Sequence, residues 1–204
     1  MGYDINNESA ALKWLTTEET PILRSEGEKQ FIEGYAVLFY DKANPGSEYH
    51  LGGNCYERVN ADSFDECLLR GDNVVSWVDH NKDWQLGETK DATLFLRKDP
   101  KGIHYSIPID PTYVDHVKAV QYQRRGKLKG SSFKAMVRSI VKRDGDKYIR
   151  TLTKATQLYE LGPVFQPCYP GTSAELLLRA EVDAAERTRQ QIDRWKEISQ
   201  RIAK

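Results

Sequence analysis

The last 32 residues of this 204-residue chain differ in character from everything before them. Residues 173–204 contain neither glycine nor proline and are rich in Ala, Glu, Arg and Gln. Glycine and proline disfavour helix interiors, so their absence over this length favours one long helix. The apolar residues recur at helical spacing: Leu178, Val182, Ala185, Ile192, Trp195 and Ile202. The pattern predicts an amphipathic helix that either lies across the β-core along its length or has a distal half that needs a partner, as a docking or dimer helix would.

The region before this helix is rich in strand signals. Segments of β-branched and aromatic residues alternate with turns built from Gly, Pro, Asn and Asp. They predict strands at 31–39, 73–78, 92–98, 103–109, 132–142 and 147–158, with a short final strand near 164–165. The strands at 92–98 and 103–109 are expected to form a hairpin, Asp144 and Gly145 to join the next two, and Gly162 and Pro163 to break the chain before the last. Short helices are expected around Leu12 and Leu15, after a cap at Asp62 or Ser63, and from Pro111 with Tyr113, Val117 and Val120 as its apolar stripe. The fold class is therefore α+β, with a β-rich core and a few flanking helices.

Charge and cysteine content exclude several classes of protein. The chain carries 30 basic and 30 acidic side chains, which argues against a generally basic nucleic-acid binder. Its apolar runs are too short for a membrane span, and its N-terminus lacks the features of a signal peptide. Cys55, Cys67 and Cys168 are odd in number and widely spaced, as expected for reduced thiols in a cytoplasm. Neither cysteines nor histidines show metal-ligand spacing, so no metal and no cofactor is expected.

Three positions at predicted strand ends carry residue types suited to nucleophilic catalysis. His80 follows the strand at 73–78, Ser131 and Ser132 lie at the start of the strand after Gly130, and Glu160 lies between apolar residues at the end of the strand that begins at 147. A serine hydroxyl becomes a good nucleophile when a histidine accepts its proton and an acid orients that histidine. Each of these residues is also common in purely structural roles, so the residue types alone leave a catalytic triad and a structural reading open.

Six short blocks of the sequence occur in a distinctive order: 33–39 for EGYA-x-x-F, 61–64, 79–81 followed by Gly87, 102–103, 126–133 for G-x-x-x-G-x-S-F, and 158–170. This ordered set resembles the prohead proteases of tailed phages, which are serine proteases distantly similar to herpesvirus assemblins. The acid and the amide that flank His80 are exchanged relative to the family pattern, and Gly162 stands where that pattern has serine.

The resemblance implies a β-barrel-like, mostly antiparallel, assemblin-like core over residues 31–172. Residues 1–30 would be an N-terminal extension, and 173–204 the C-terminal helix. It also implies a capsid maturation serine endopeptidase that cleaves the scaffolding region of the major capsid protein, and itself. The expected location is the host bacterial cytoplasm, inside the assembling procapsid, with no membrane and no specific nucleic-acid partner. Self-association through the C-terminal helix is a further expectation.

Within this resemblance, Ser132 is the nucleophile, His80 the general base and Glu160 the orienting acid. Ser131 is the alternative nucleophile, because neighbouring strand residues face opposite ways and only one can reach His80. Asp79, His104 and His116 are the alternative third members; His50 and His116 are otherwise expected to be exposed. A non-catalytic β-domain that acts as a capsid assembly or scaffolding module is the rival function.

Overall fold

The structure is a computed structural model that describes residues 10–166 and 171–202. Cys168, together with residues 1–9, lies outside the described residues. Within them the chain forms eleven strands and three α-helices, in the α+β class predicted from the sequence. No described helix combines the length and the hydropathy that a membrane span requires.

The larger sheet has seven strands and is built around two long, adjacent ones. Its central pair is β10 (Gly130–Asp144) and β11 (Lys147–Val164), joined by the predicted turn at Asp144 and Gly145. Beyond them the order runs from β1 (Ala10–Thr17) through β10 and β11 to β5 (Cys55–Val59) and β4 (Tyr49–Gly52). Strand β6 (Val75–Trp77) pairs with the far end of β11 and with β7 (Gln85–Glu88).

The smaller sheet has four antiparallel strands and covers one face of the larger one. Its order is β2 (Ile22–Glu26), β3 (Lys29–Leu38), β9 (Gly102–Pro108) and β8 (Phe95–Lys98). The predicted hairpin of β8 and β9 is confirmed. Apolar side chains of both sheets form one core, which buries residues such as Ile32, Tyr105, Leu152, Leu158, Phe133 and Leu161.

The sequence prediction missed strands β2, β4, β5 and β7 and differs from the structure in three further features of the strands. The segment around Leu15 is strand β1 rather than a helix, because its backbone pairs with β10 along its full length. The break expected at Gly162 is absent, since β11 continues to Val164. The barrel-like core is an open arrangement: in the described chain the strands form two separate sheets, and neither closes on itself. The predicted boundary between an N-terminal extension and the core at residue 30 stays a prediction. Strands β1 and β2, which lie before this boundary, belong to the larger and the smaller sheet, respectively.

The short helices lie at the edges of the core. Helix α1 (Asp65–Arg70) follows the predicted cap region, but its N-cap residue is Phe64, and the Ser63 hydroxyl donates to Asn60 instead. Helix α2 (Val114–Arg124) begins after Tyr113. Tyr113 and Val117 are exposed, so only Val120 of the predicted stripe is buried in the core.

The long C-terminal helix, α3 (Gly171–Ile202), packs on the larger sheet only through its first half. Leu178 and Val182 are fully buried in a small cluster with Leu51 and Cys55. Further along, Trp195 is 68% exposed and Ile198 is 38% exposed. These two side chains of the distal part of α3 are therefore not covered by the core, and the partner expected for this part of the helix stays a prediction.

Candidate active site

The register between strands β10 and β11 decides which side chains share a face of the larger sheet. Ser132 lies directly opposite Gly162 and Lys134 opposite Glu160, with no register shift between the two pairs. Directly opposed residues, and residues two apart in one strand, point to the same face of a sheet. Ser132 and Glu160 therefore share one face.

Strand β6 brings His80 to the same face. Val75 pairs with Glu160 in parallel register, and the chain then leaves the sheet in a short 3-10 turn over Val78–His80, called here the His80 turn. Asp79 and His80 both have left-handed backbone conformations, with φ of 54° and 60°. This sharp bend carries the imidazole back to the carboxylate of Glu160.

His80 and Glu160 form a short, largely buried polar contact. The Nδ1 atom of His80 lies 2.8 Å from Oε1 of Glu160. The side chain of Glu160 is 2% exposed and that of His80 is 21% exposed. A carboxylate in this position accepts the Nδ1–H, leaves Nε2 to act as a proton acceptor, and stabilises the imidazolium that forms. The pair has the geometry of a general base and its orienting acid.

Two buried polar atoms, one in this pair and one next to it on strand β6, have no hydrogen-bond partner among the described residues. They are Oε2 of Glu160 and the hydroxyl of Ser76, next to Val75. Unpaired buried polar atoms cost free energy, and native proteins keep few of them.

The hydroxyl of Ser132 contacts strand β1 in this structure. It donates to the carbonyl of Leu15 at 2.9 Å and accepts a longer hydrogen bond, 3.3 Å, from Oγ1 of Thr16. Ser132 is fully buried. The structure thus pairs His80 with Glu160 and places Ser132 on their face, while giving the serine other hydrogen-bond partners. Catalytic hydrogen bonds often form only once substrate is bound, so the contact between Ser132 and His80 stays a prediction.

Ser131 occupies the opposite face of strand β10. Its hydroxyl lies 2.9 Å from the hydroxyl of Tyr105, a fully buried residue of strand β9 in the smaller sheet. Burial raises the pKa of Tyr105, so the phenol stays protonated and can donate to Ser131. Ser131 therefore connects the two sheets across the core, which favours Ser132 as the nucleophile.

Gly162 provides the room that the His80 turn needs. A Cβ atom at this position would lie 2.4 Å from the carbonyl oxygen of Trp77 and 2.9 Å from the hydroxyl of Ser76. Both distances are shorter than a carbon atom tolerates, so a side chain here would push strand β6 away from β11. The serine of the family pattern does not fit this backbone without such a shift.

The alternative third members have other partners. The carboxylate of Asp79 accepts a hydrogen bond from the Phe165 N–H at 3.2 Å. His104 lies in the smaller sheet, edge-on to the ring of Tyr35. His116, expected to be exposed, is buried, and its Nδ1 accepts the Asp110 N–H at 3.0 Å. Burial lowers the pKa of His116, which favours the neutral ring that this acceptor role requires.

Comparison with known proteins decides the family. The family model described as Caudovirus prohead serine protease matches residues 17–188, which include His80, Ser132 and Glu160. The chain belongs to this family. The resemblance read from the ordered motifs is thereby confirmed, and the protein is a serine peptidase of the phage prohead with a role in capsid maturation.

A solved structure with the same fold supports the architecture of this prohead protease. The capsid assembly protease gp21 of bacteriophage T4 superposes with a TM-score of 0.51 at 10% sequence identity, over 78% of this chain and 99% of that chain. An identity this low shows a shared fold and nothing finer. No curated protein matches the chain.

Most backbone amides of the loop at residues 126–130, just before Ser132, already donate hydrogen bonds in this prohead protease. The N–H groups of Gly126, Lys127 and Lys129 donate to the carbonyls of Gln123, Tyr122 and Val164. Two cavities of about 670 and 500 Å³ lie elsewhere, and neither is lined by a residue of the proposed triad.

Proposed function

We propose that this prohead protease cleaves peptide bonds in the scaffolding region of the major capsid protein, and in itself, inside the procapsid in the host cytoplasm. The observation that carries the proposal is the buried pair of His80 and Glu160 on the face of the sheet that holds Ser132. Family membership supplies the reaction class, the hydrolysis of a peptide bond by a serine nucleophile.

In the proposed mechanism, the Ser132 hydroxyl first exchanges its bond to the Leu15 carbonyl for one to His80. Its oxygen then attacks the peptide carbonyl while Nε2 of His80 takes the proton. The imidazolium, stabilised by Glu160, gives that proton to the leaving amine. Water hydrolyses the acyl-enzyme through the same base, which releases the acid product and restores the Ser132 hydroxyl.

Cleavage of the capsid precursor by matched serine variants tests the proposal. We expect the full-length protein to cleave the purified precursor and Ser132→Ala to abolish cleavage. Ser131→Ala is the matched control, because it removes the neighbouring hydroxyl and its hydrogen bond to Tyr105. The folded fraction of this variant should retain activity. Cleavage that persists in Ser132→Ala would overturn the assignment of the nucleophile.

One observation favours the rival function, a non-catalytic assembly module: Ser132 is fully buried and hydrogen-bonded to strand β1. This function predicts that the wild-type protein binds the capsid precursor and never cleaves it. The same cleavage experiment therefore separates the two functions.

We further propose that the protein self-associates through the distal half of α3, defined here as residues 187–202. Its exposed Trp195 and Ile198 form an apolar face that the core does not cover. Replacing both by glutamate should convert a dimer to a monomer in sedimentation experiments without altering proteolysis. A wild-type monomer would contradict self-association and leave the scaffold as the candidate partner.

A further inference from the structure

The His80 turn is held in an unfavourable backbone conformation. Asp79 and His80 are consecutive residues with positive φ, and Ala92 is the third non-glycine residue of this kind in the described chain. Left-handed conformations are costly for residues with a Cβ atom and least so for Asp and Asn. Strain of this kind persists only where surrounding contacts hold it in place.

Those contacts come from strand β11 and its continuation. The ring of His80 is fixed by Glu160, and the carboxylate of Asp79 accepts the N–H of Phe165, the residue after the end of the strand. Two backbone bonds close the turn from the other side, from Val78 N–H to Trp84 and from Asn81 N–H to Val78. The turn is thus attached to β11 at two points five residues apart.

We infer that Asp79 is a positioning residue for the catalytic base: its carboxylate anchors the His80 turn to Phe165 and keeps His80 in the left-handed conformation that faces Glu160. Asp79 is itself exposed, so its side chain contributes nothing to the core. Its contact is with the Phe165 N–H and not with His80, so it acts through the backbone. This inference rests on the proposed function, since His80 is taken as the base.

Three substitutions separate the two contributions of Asp79. Asp79→Asn keeps both an acceptor oxygen and tolerance of positive φ, so its kcat should stay within about threefold of wild type. Asp79→Gly keeps the backbone freedom and loses the acceptor, and Asp79→Ala loses both. Because displacing a catalytic group by about 1 Å can cost 10²-fold in rate, we expect kcat to fall about tenfold for Gly and about 10²-fold for Ala. KM should not change.

Ala92→Gly is the matched control, because it relieves a positive φ outside the His80 turn. It should leave kcat unchanged. Near-normal activity of Asp79→Asn, together with a loss confined to kcat in the other two variants, would support a positioning role. A purely structural role would instead lower the stability of all three variants, and their kcat values would not fall in the order Asn, Gly, Ala. Full activity in Asp79→Ala would overturn the inference.

A second measurement tests the geometry without activity. The imidazole proton signals of His80, assigned with His80→Gln, should be the same in wild type and Asp79→Asn and shift in Asp79→Ala. Unchanged signals in Asp79→Ala would overturn the inference even in an inactive protein. If instead the wild-type activity survives both Ser132→Ala and His80→Ala, the proposed function itself fails, so the two failures are distinguishable.

Discussion

Two buried glutamates of the larger sheet have opposite surroundings. Glu57, on strand β5, is 2% exposed and contacts the guanidinium of Arg150, which also binds Glu181 of helix α3. Glu160, on strand β11, is 1% exposed, contacts His80 through one oxygen, and has no described partner for the other. Burial raises the pKa of Glu57 and the permanent charge of Arg150 opposes that rise, whereas the partner of Glu160 is a histidine.

The difference separates a structural ion pair from a candidate catalytic one. Burial works to lower the pKa of Arg150, but the charges of Glu57 and Glu181 outweigh it and raise the pKa. Arg150 therefore stays charged and joins β5, β11 and α3. A histidine side chain generally changes its charge near neutral pH. It is therefore suited to proton transfer and is a poor permanent counter-ion for a buried carboxylate.

The largest expected effect is on activity at the Glu160 pair. His80→Ala removes the base and should lower kcat by about 10⁴-fold or more, whereas Glu160→Gln should lower it by about 10²- to 10⁴-fold. The acid orients the base without transferring the proton, so its loss is milder. Glu160→Gln should change the free energy of unfolding by less than about 1–2 kcal/mol, whereas His80→Ala also leaves the buried Glu160 carboxylate without its partner and should cost more. Peptide-cleavage kinetics and urea unfolding measure the two quantities, and a silent Glu160→Gln would place the third member elsewhere.

At the Glu57 pair we expect a large loss of stability and no change in activity. Arg150→Leu leaves a buried carboxylate without its cation, which should lower the free energy of unfolding by about 3–5 kcal/mol. The activity of the molecules that remain folded should not change. Arg143→Leu is the matched control: Arg143 also contacts α3, at Asp183, but its side chain is 43% exposed, so the loss should be below about 1 kcal/mol. Equal losses in the two variants would contradict the comparison.

The smallest effect is a pH dependence of stability at His116. Burial holds its pKa below the ordinary value for histidine, so the unfolded chain binds a proton more readily than the folded one. The free energy of unfolding should therefore keep the whole contribution of neutral His116 above the ordinary histidine pKa of about 6.5, and it should decline as the pH falls below that value. His104, whose pKa burial also lowers, acts in the same direction. His116→Asn keeps an acceptor for the Asp110 N–H and should flatten the decline; an unchanged slope would contradict this cause.

Local patterns were sufficient to predict much of the fold. The turns at Asp99 and at Gly145 lie where short turn sequences separate strand patterns, and helix α3 follows from a long stretch without glycine or proline. Strand β1 could not be predicted this way, because only pairing with β10, more than a hundred residues away, makes the segment around Leu15 extended. The parallel pairing of β6 with β11 is equally remote in sequence.

For the candidate site, the sequence supplied residues to test and left their geometry open. The ordered motifs point to His80, Ser132 and Glu160, and the structure shows that two of them touch. The carbonyl of Leu15 as partner of Ser132 follows from strand β1, which the sequence pattern missed. An aspartate directly before the strand-end histidine was the one available signal for the left-handed His80 turn, because Asp tolerates positive φ.

The most direct test of the account is labelling by a fluorophosphonate, which reacts with an activated serine. The labelled residue is identified by mass spectrometry in the wild type, in His80→Ala and in Ser131→Ala. The account predicts modification of Ser132 in the wild type and in Ser131→Ala, none in His80→Ala, and less labelling at low pH, because an imidazolium cannot accept the serine proton. Modification of Ser131, or labelling of Ser132 that does not depend on His80, would contradict it.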